Sequence, residues 1–286
     1  MAGLQLFDTK VERVRAGFED LRQGTAHAID LLGKIASSET AIDEAQLDIE
    51  SSRLAEGIRL QEAILATAAD LVLRLDDATE ATAAAFDGMK RFTRLARFVA
   101  FFSMRRAKRM RRARAVEHSL AAGIEDLLSK SGALLRLLGA ERALALDEQQ
   151  RAEADLVRLL ERRKGTARLL DLAAAQAGDG GLFAEEALLE RSTSMFRTLV
   201  ETLNDRLASL QTLLAKLAAD GQQRELLRRA LGGWGFAVAG PEVVSEPYAA
   251  GADGQGAHEV QRRKARTDDA FVRRFGGVSE KGGASG

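Results

Sequence analysis

An all-α protein, an elongated antiparallel helical bundle with coiled-coil-like packing and a disordered C-terminal tail, is the fold that these 286 residues predict. Three observations predict it. The two prolines, Pro241 and Pro247, both follow residue 240, so the strongest helix breaker is missing from most of the chain. Hydrophobic residues make up 46% of the sequence, enough for a sizeable core. They recur at alternating steps of three and four, the spacing of a narrow seam between packed helices.

Val11, Val14, Phe18, Leu21, Thr25, Ala28, Leu32 and Ile35 form the seam of a first helix that ends near Gly33 to Ser37. Ser38 and the acidic stretch after it suit the capped, electropositive start of a second helix. Its seam runs Leu47, Ser51, Leu54, Ile58, Gln61, Leu65, Ala68, Val72, Leu75, Thr79, Thr82, Phe86 and Met89 in strict four-three alternation. The polar residues in that seam are expected to fix register.

A third helical region carries Val116, Leu120, Ile124, Leu127, Ser131, Leu134 and Leu138, then Leu156, Leu159, Leu170 and Ala173. Gly123, Gly132, Gly139 and Gly165 are expected to weaken or bend it. The glycine-rich stretch 178–181 reads as an interhelical turn. The last helix runs from about Leu182 to Leu231, with Leu189, Ser192, Phe196, Leu199, Leu203, Leu207, Leu210, Leu214 and Leu217 as its stripe.

Residues 1–231 therefore read as one long-helix bundle. From 232 to 286 the composition turns to a Gly-rich, flexible tail. Within it, 260–275 offers a short docking motif for a protein partner, carrying Phe271, Val272, Arg273, Arg274 and Phe275.

The chemistry-bearing residues are sparse. There is no cysteine, which fits a reducing compartment and removes thiolate metal sites. His27, His118 and His258 lie far apart, and none follows a Glu by three residues, so the pattern of di-metal bundles is missing. Gly33-Lys34 lacks the glycine five residues earlier that a P-loop needs, since position 28 is Ala. No catalytic, cofactor-binding or metal-binding residue is assigned, no cofactor is expected, and an enzyme is not the expectation.

The N-terminus lacks a basic start followed by an apolar run, so a cytoplasmic protein is expected, peripheral on the inner face of a membrane if bound to one. Phe98 to Met104 is uncharged over only seven residues, against roughly 20 for a spanning helix.

Net charge is zero, but it is distributed unevenly. Residues 1–89 hold 8 basic and 17 acidic side chains, whereas residues 90–114 hold 11 basic and none acidic. Wound as a helix, Phe92, Leu95, Val99 and Phe102 share one apolar arc, while Phe98 and Phe101 fall among the arginines. The bundle pattern then lapses until Val116, so a bundle tip is expected near Phe101 to Arg106.

The residues expected to meet a membrane or another polyanion are Lys90, Arg91, Arg94, Arg97, Phe98, Phe101, Phe102, Arg105, Arg106, Lys108, Arg109, Arg111, Arg112 and Arg114. Anionic phospholipid is the first expected partner, through arginines at headgroups and phenylalanines at the acyl boundary. Homo-oligomerisation or an adaptor role, with the basic block against the acidic N-terminal region, comes second. Nucleic acid through the same segment comes third, because the rest of the chain is not basic.

Overall fold

The computed structural model describes residues 6–37, 44–90, 120–174, 180–232 and 255–279, and these are almost wholly helical, with no strand among them. The helices are α1 (Phe7–Ala36), α2 (Glu44–Lys90), α3 (Leu120–Ala174), α4 (Gly180–Gly232) and α5 (Gln255–Ser279). The chain divides into two compact units. The first joins residues 1–8, 68–138 and 212–286, and the second joins 9–67 and 139–211.

The second unit packs most of α1 with parts of α2, α3 and α4. Gly17 of α1 lies against Ile64 and Leu21 against Gly57, so α2 runs back along α1. Arg162 pairs with Glu185 and Gln149 with Asn204, so α4 runs back along α3. All eight predicted seam residues of α1 are buried. Leu31, Leu32 and Ile35 join Leu47, Ala152, Leu159, Leu189, Phe196, Leu199 and Leu203 in one apolar cluster. Each such leucine or phenylalanine, fully buried, is worth about 1.5–3 kcal/mol. Gly17 permits a close approach of α1 to α2, because a Cβ there would stand 2.7 Å from Ile64 Cγ1.

The first unit packs the remaining parts of α2, α3 and α4 with α5. Phe86, Leu120, Ile124, Leu128 and Leu231 form its apolar cluster. Phe7 at the start of α1 is buried in this unit, with the Lys130 ammonium 5.9 Å from the ring centroid.

Several expectations change. The α3 helix is continuous across Gly123, Gly132, Gly139 and Gly165, because an isolated glycine costs a helix only about 1 kcal/mol, less than the burial on either side provides. Its seam does not stop between Leu138 and Leu156: Glu141, Ala145, Glu148 and Ala152 carry it on, all buried. In α4 the stripe includes Arg206, Lys216, Asp220 and Arg224, all buried. Ser51, expected in the α2 seam, is exposed.

Residues 255–279, expected as part of a flexible tail, form α5. Valine and phenylalanine at helical spacing give it an apolar edge, and Phe271 and Phe275 are buried with ring centroids 5.0 Å apart. Of the expected turn at 178–181, Gly180 and Gly181 already belong to α4, while 178 and 179 lie outside the described residues.

Candidate functional site

Of the residues expected to bind a polyanion, Lys90 is the last of α2. Arg91, Arg94, Arg97, Phe98, Phe101, Phe102, Arg105, Arg106, Lys108, Arg109, Arg111, Arg112 and Arg114 lie outside the described residues, as does Val116. What the structure describes is the base from which they depart. Phe86, one turn before the end of α2, packs with Leu120 and Ile124 at the start of α3. The end of α2 and the start of α3 therefore meet in one packed layer of the first unit.

The tail motif is split between two faces of α5. Phe271 and Phe275 point into the first unit, whereas Val272, Arg273 and Arg274 are exposed. Lys264, on the same side as the phenylalanines, donates to Asp76 at 2.7 Å and to Glu80 at 2.8 Å. Asp268 pairs with Lys216 of α4 at 2.5 Å. The motif thus docks on the chain's own α2 and α4.

Lys216 is the centre of this network. Its ammonium also donates to Asp76 at 2.6 Å and Asp220 at 3.1 Å, and it is 2% exposed. Asp76, Asp220 and Asp268 bring carboxylate oxygens within 4.8 Å of one another, a separation that a metal ion could bridge. Here the lysine supplies the positive charge that the three acids share. Burial opposes ionisation of Asp76, yet hydrogen bonds from Lys216 and Lys264 outweigh it and hold its carboxyl below the usual range. Burial pushes the Asp220 carboxyl up, against the pull of Lys216. Burial works against the charge on Lys264 too, and Asp76 and Glu80 overcome it, raising its pKa.

Four residues above Asp220 on the same helix, Arg224 donates from Nε to Thr79 Oγ1 at 2.8 Å. Its two Nη atoms, Asp220 Oδ2 and Gln223 Oε1 are buried without a hydrogen-bond partner among the described residues.

The second unit holds a similar arginine with each of its three guanidinium nitrogens hydrogen-bonded. Arg206, 1% exposed, donates from Nε to Gln61 Oε1 at 2.9 Å, from Nη1 to Glu148 at 3.1 Å and from Nη2 to Thr25 Oγ1 at 3.1 Å. Glu141 stands 3.7 Å from the same guanidinium. Two buried acids thus face one buried cation. Burial, then the neighbouring Glu148, pushes the Glu141 carboxyl up to about 7, against the pull of Arg206. Burial raises Glu148 as well, again against Arg206.

Beside this layer, a cavity of about 490 Å³ opens between α1, α2 and α4 of the second unit, lined by Leu21, Gly24, Ala28, Leu54, Gly57 and Ile58 among others. At its rim Glu50, 3% exposed, accepts from Arg53 at 2.5 Å and lies 3.3 Å from His27 Nε2. Sequence reasoning assigned none of the buried ions, because a charged residue is ordinarily read as marking a solvated face. The usable signal is that Glu141, Glu148, Arg206, Asp220 and Arg224 all fall on the four-three spacing of their helices.

No family model matches the chain, and no curated protein and no solved structure matches it either.

Proposed function

We propose that this chain is a non-enzymatic, elongated helical scaffold, oligomeric and packed in coiled-coil fashion, that binds anionic membrane surfaces through residues 90–114. The observation that carries the proposal is charge segregation: 11 basic and no acidic residues in that segment, interleaved with Phe92, Phe98, Phe101 and Phe102, in a chain of zero net charge. The described helices support it by spending their own apolar seams on each other. Among the described residues, no helix is long and apolar enough to cross a membrane, which fits attachment at the surface. Five basic groups at about 1 kcal/mol each and two phenylalanines at roughly 1.5 kcal/mol each approach ~8 kcal/mol, which is micromolar binding before ordering costs.

Sedimentation with neutral and anionic vesicles over a salt series tests this, for the wild type and for Phe98→Ser with Phe101→Ser. Binding is expected to anionic vesicles alone and to weaken with salt and with the double substitution. No binding to either vesicle sinks the proposal. Retention of single-stranded nucleic acid with a steep salt slope, and no lipid binding, replaces it with a nucleic-acid scaffold.

A further inference from the structure

The docking of α5 fixes which of its faces looks outward. Taking about 100° per residue, with Lys264 as the reference, Asp268, Phe271 and Phe275 fall within roughly 40° of it, and Arg262, Arg273 and Arg266 fall at roughly 160°, 180° and 200°. The first four are buried or half-buried and the three arginines are exposed. They stand in a line of roughly 16 Å along the helix. Arg262 and Arg266 have no hydrogen bond or ion pair with any described residue, and Arg273 donates only to the backbone oxygen of Asp269, at 3.2 Å. Of the two acids near the line, Glu259 is paired with Arg263 at 3.1 Å, which leaves Asp269 as the local counter-charge. Val272, 63% exposed, lies at the edge of the same surface.

Elsewhere among the described residues, Arg15, Lys34, Arg74, Arg151 and Arg229 each meet an acid one turn away and present little net field, while others, among them Arg59, Arg142, Arg168 and Arg197, are exposed without a described acid partner. On α5 three such guanidinium groups stand in register against one carboxylate, on a helix that ion pairs and two phenylalanines fix to the first unit. That unit also holds the layer in which α2 ends and α3 begins.

We propose that the outer face of α5, through Arg262, Arg266 and Arg273, is a second contact for anionic lipid headgroups. This rests on the membrane reading above and gives it a second point of attachment. Two weak contacts on one body bind as an avid pair, and surface attachment by a single weak signal is characteristically marginal. A row of guanidinium groups suits a layer of phosphates and carboxylates, each of which accepts its donors in pairs.

The test uses the full chain and vesicles containing about 30% phosphatidylserine, where each exposed basic residue near the surface is worth roughly a fivefold change. Replacing Arg262, Arg266 and Arg273 together by Gln is expected to weaken binding at least tenfold and to flatten its salt dependence. Asp269→Arg, which adds charge to the same line, is expected to strengthen it severalfold. A parallel variant with Arg105, Arg106 and Arg109 changed to Gln reports on the basic segment. If both α5 variants bind like the wild type while the segment variant loses binding, the α5 contact is overturned and the membrane reading stands. If the α5 variants change affinity as stated and the segment variant does not, the α5 contact stands and the segment is not the membrane site. If the wild type binds no vesicle, both fall, and binding of a single-stranded oligonucleotide in that case assigns the basic surfaces to nucleic acid.

Discussion

Arg206 and Glu148 meet at 3.1 Å across the core of the second unit, the arginine 1% and the glutamate 10% exposed. Truncating one side of such a pair strands the other, so Arg206→Leu is expected to destabilise the protein by about 3–5 kcal/mol in urea unfolding. Replacing Arg206, Glu141 and Glu148 together by leucine or methionine is expected to recover most of that loss. Arg224 provides the contrast. With two nitrogens unsatisfied, Arg224→Leu is expected to cost at least about 2 kcal/mol less than Arg206→Leu.

Glu141 makes stability fall as pH rises. Its carboxyl titrates near 4.5 in the unfolded chain and at about 7 in the fold. Between those values the folded state holds a proton that the unfolded state has lost, so the contribution is complete below the unfolded value and is gone above about 7. Glu141→Gln is expected to flatten the dependence between pH 5 and pH 7 and to stabilise the protein at pH 8 by up to about 3 kcal/mol. Urea midpoints across that range check it, and an unchanged slope in the variant removes Glu141 as its source.

Asp76 acts in the opposite sense. Its folded carboxyl lies below the ordinary value of 3.8, so what it contributes is present above that value and disappears as pH falls through the lower folded one. Asp76→Asn takes one partner from both Lys216 and Lys264, each of which keeps another acid. The expected cost is about 1–3 kcal/mol, seen as faster amide exchange in α5 at neutral pH. In the wild type, α5 is expected to lose protection only in strong acid.

Phe271→Ala and Phe275→Ala are each expected to reduce the exchange protection of α5 by about 3 kcal/mol or more, since the rings are 3% and 7% exposed. Val272→Ala, on the open side of the same helix, should change it by less than about 0.5 kcal/mol. Equal effects at all three positions would deny that α5 docks by this face.

Two glycines of α1 separate packing from propensity. Gly17→Ala forces a Cβ to 2.7 Å from Ile64 Cγ1 and is expected to cost about 1–3 kcal/mol. Gly24→Ala meets nothing within 4 Å and is expected to gain about 0.5–1 kcal/mol, read as a shift in melting temperature.

The pattern of apolar residues alone specified α1: its eight seam positions are all buried, because each is an aliphatic, aromatic or small side chain on an unbroken three-four spacing. The same reading lost α3 between Leu138 and Leu156, where Glu141 and Glu148 hold seam positions. A charge is buried only if a partner from another helix reaches it, and the partner, Arg206, is 58 residues away from Glu148 along the chain. Local periodicity carries no record of such a meeting. The helix α5 was missed for a related reason. Its inward face holds Lys264 and Asp268 along with two phenylalanines, and a segment so rich in charge reads as solvated until its counter-ions on α2 and α4 are known. Of the proposed polyanion segment, the sequence alone shows the charge; the structure shows only the packed layer of Phe86 and Leu120 where α2 ends and α3 begins.

Arg206 against Gln61 and Arg224 against Thr79 also act as pins for how α4 slides along α2. Leucines seven residues apart are interchangeable, so an all-aliphatic seam tolerates a slip of one heptad with little penalty. Such a slip would set Arg206 opposite Leu54 or Ala68, and Arg224 opposite Val72 or Phe86, each a guanidinium pressed on hydrocarbon. Misaligned versions of either unit are thereby made costly, and a single alignment of the two helices is selected as the chain folds.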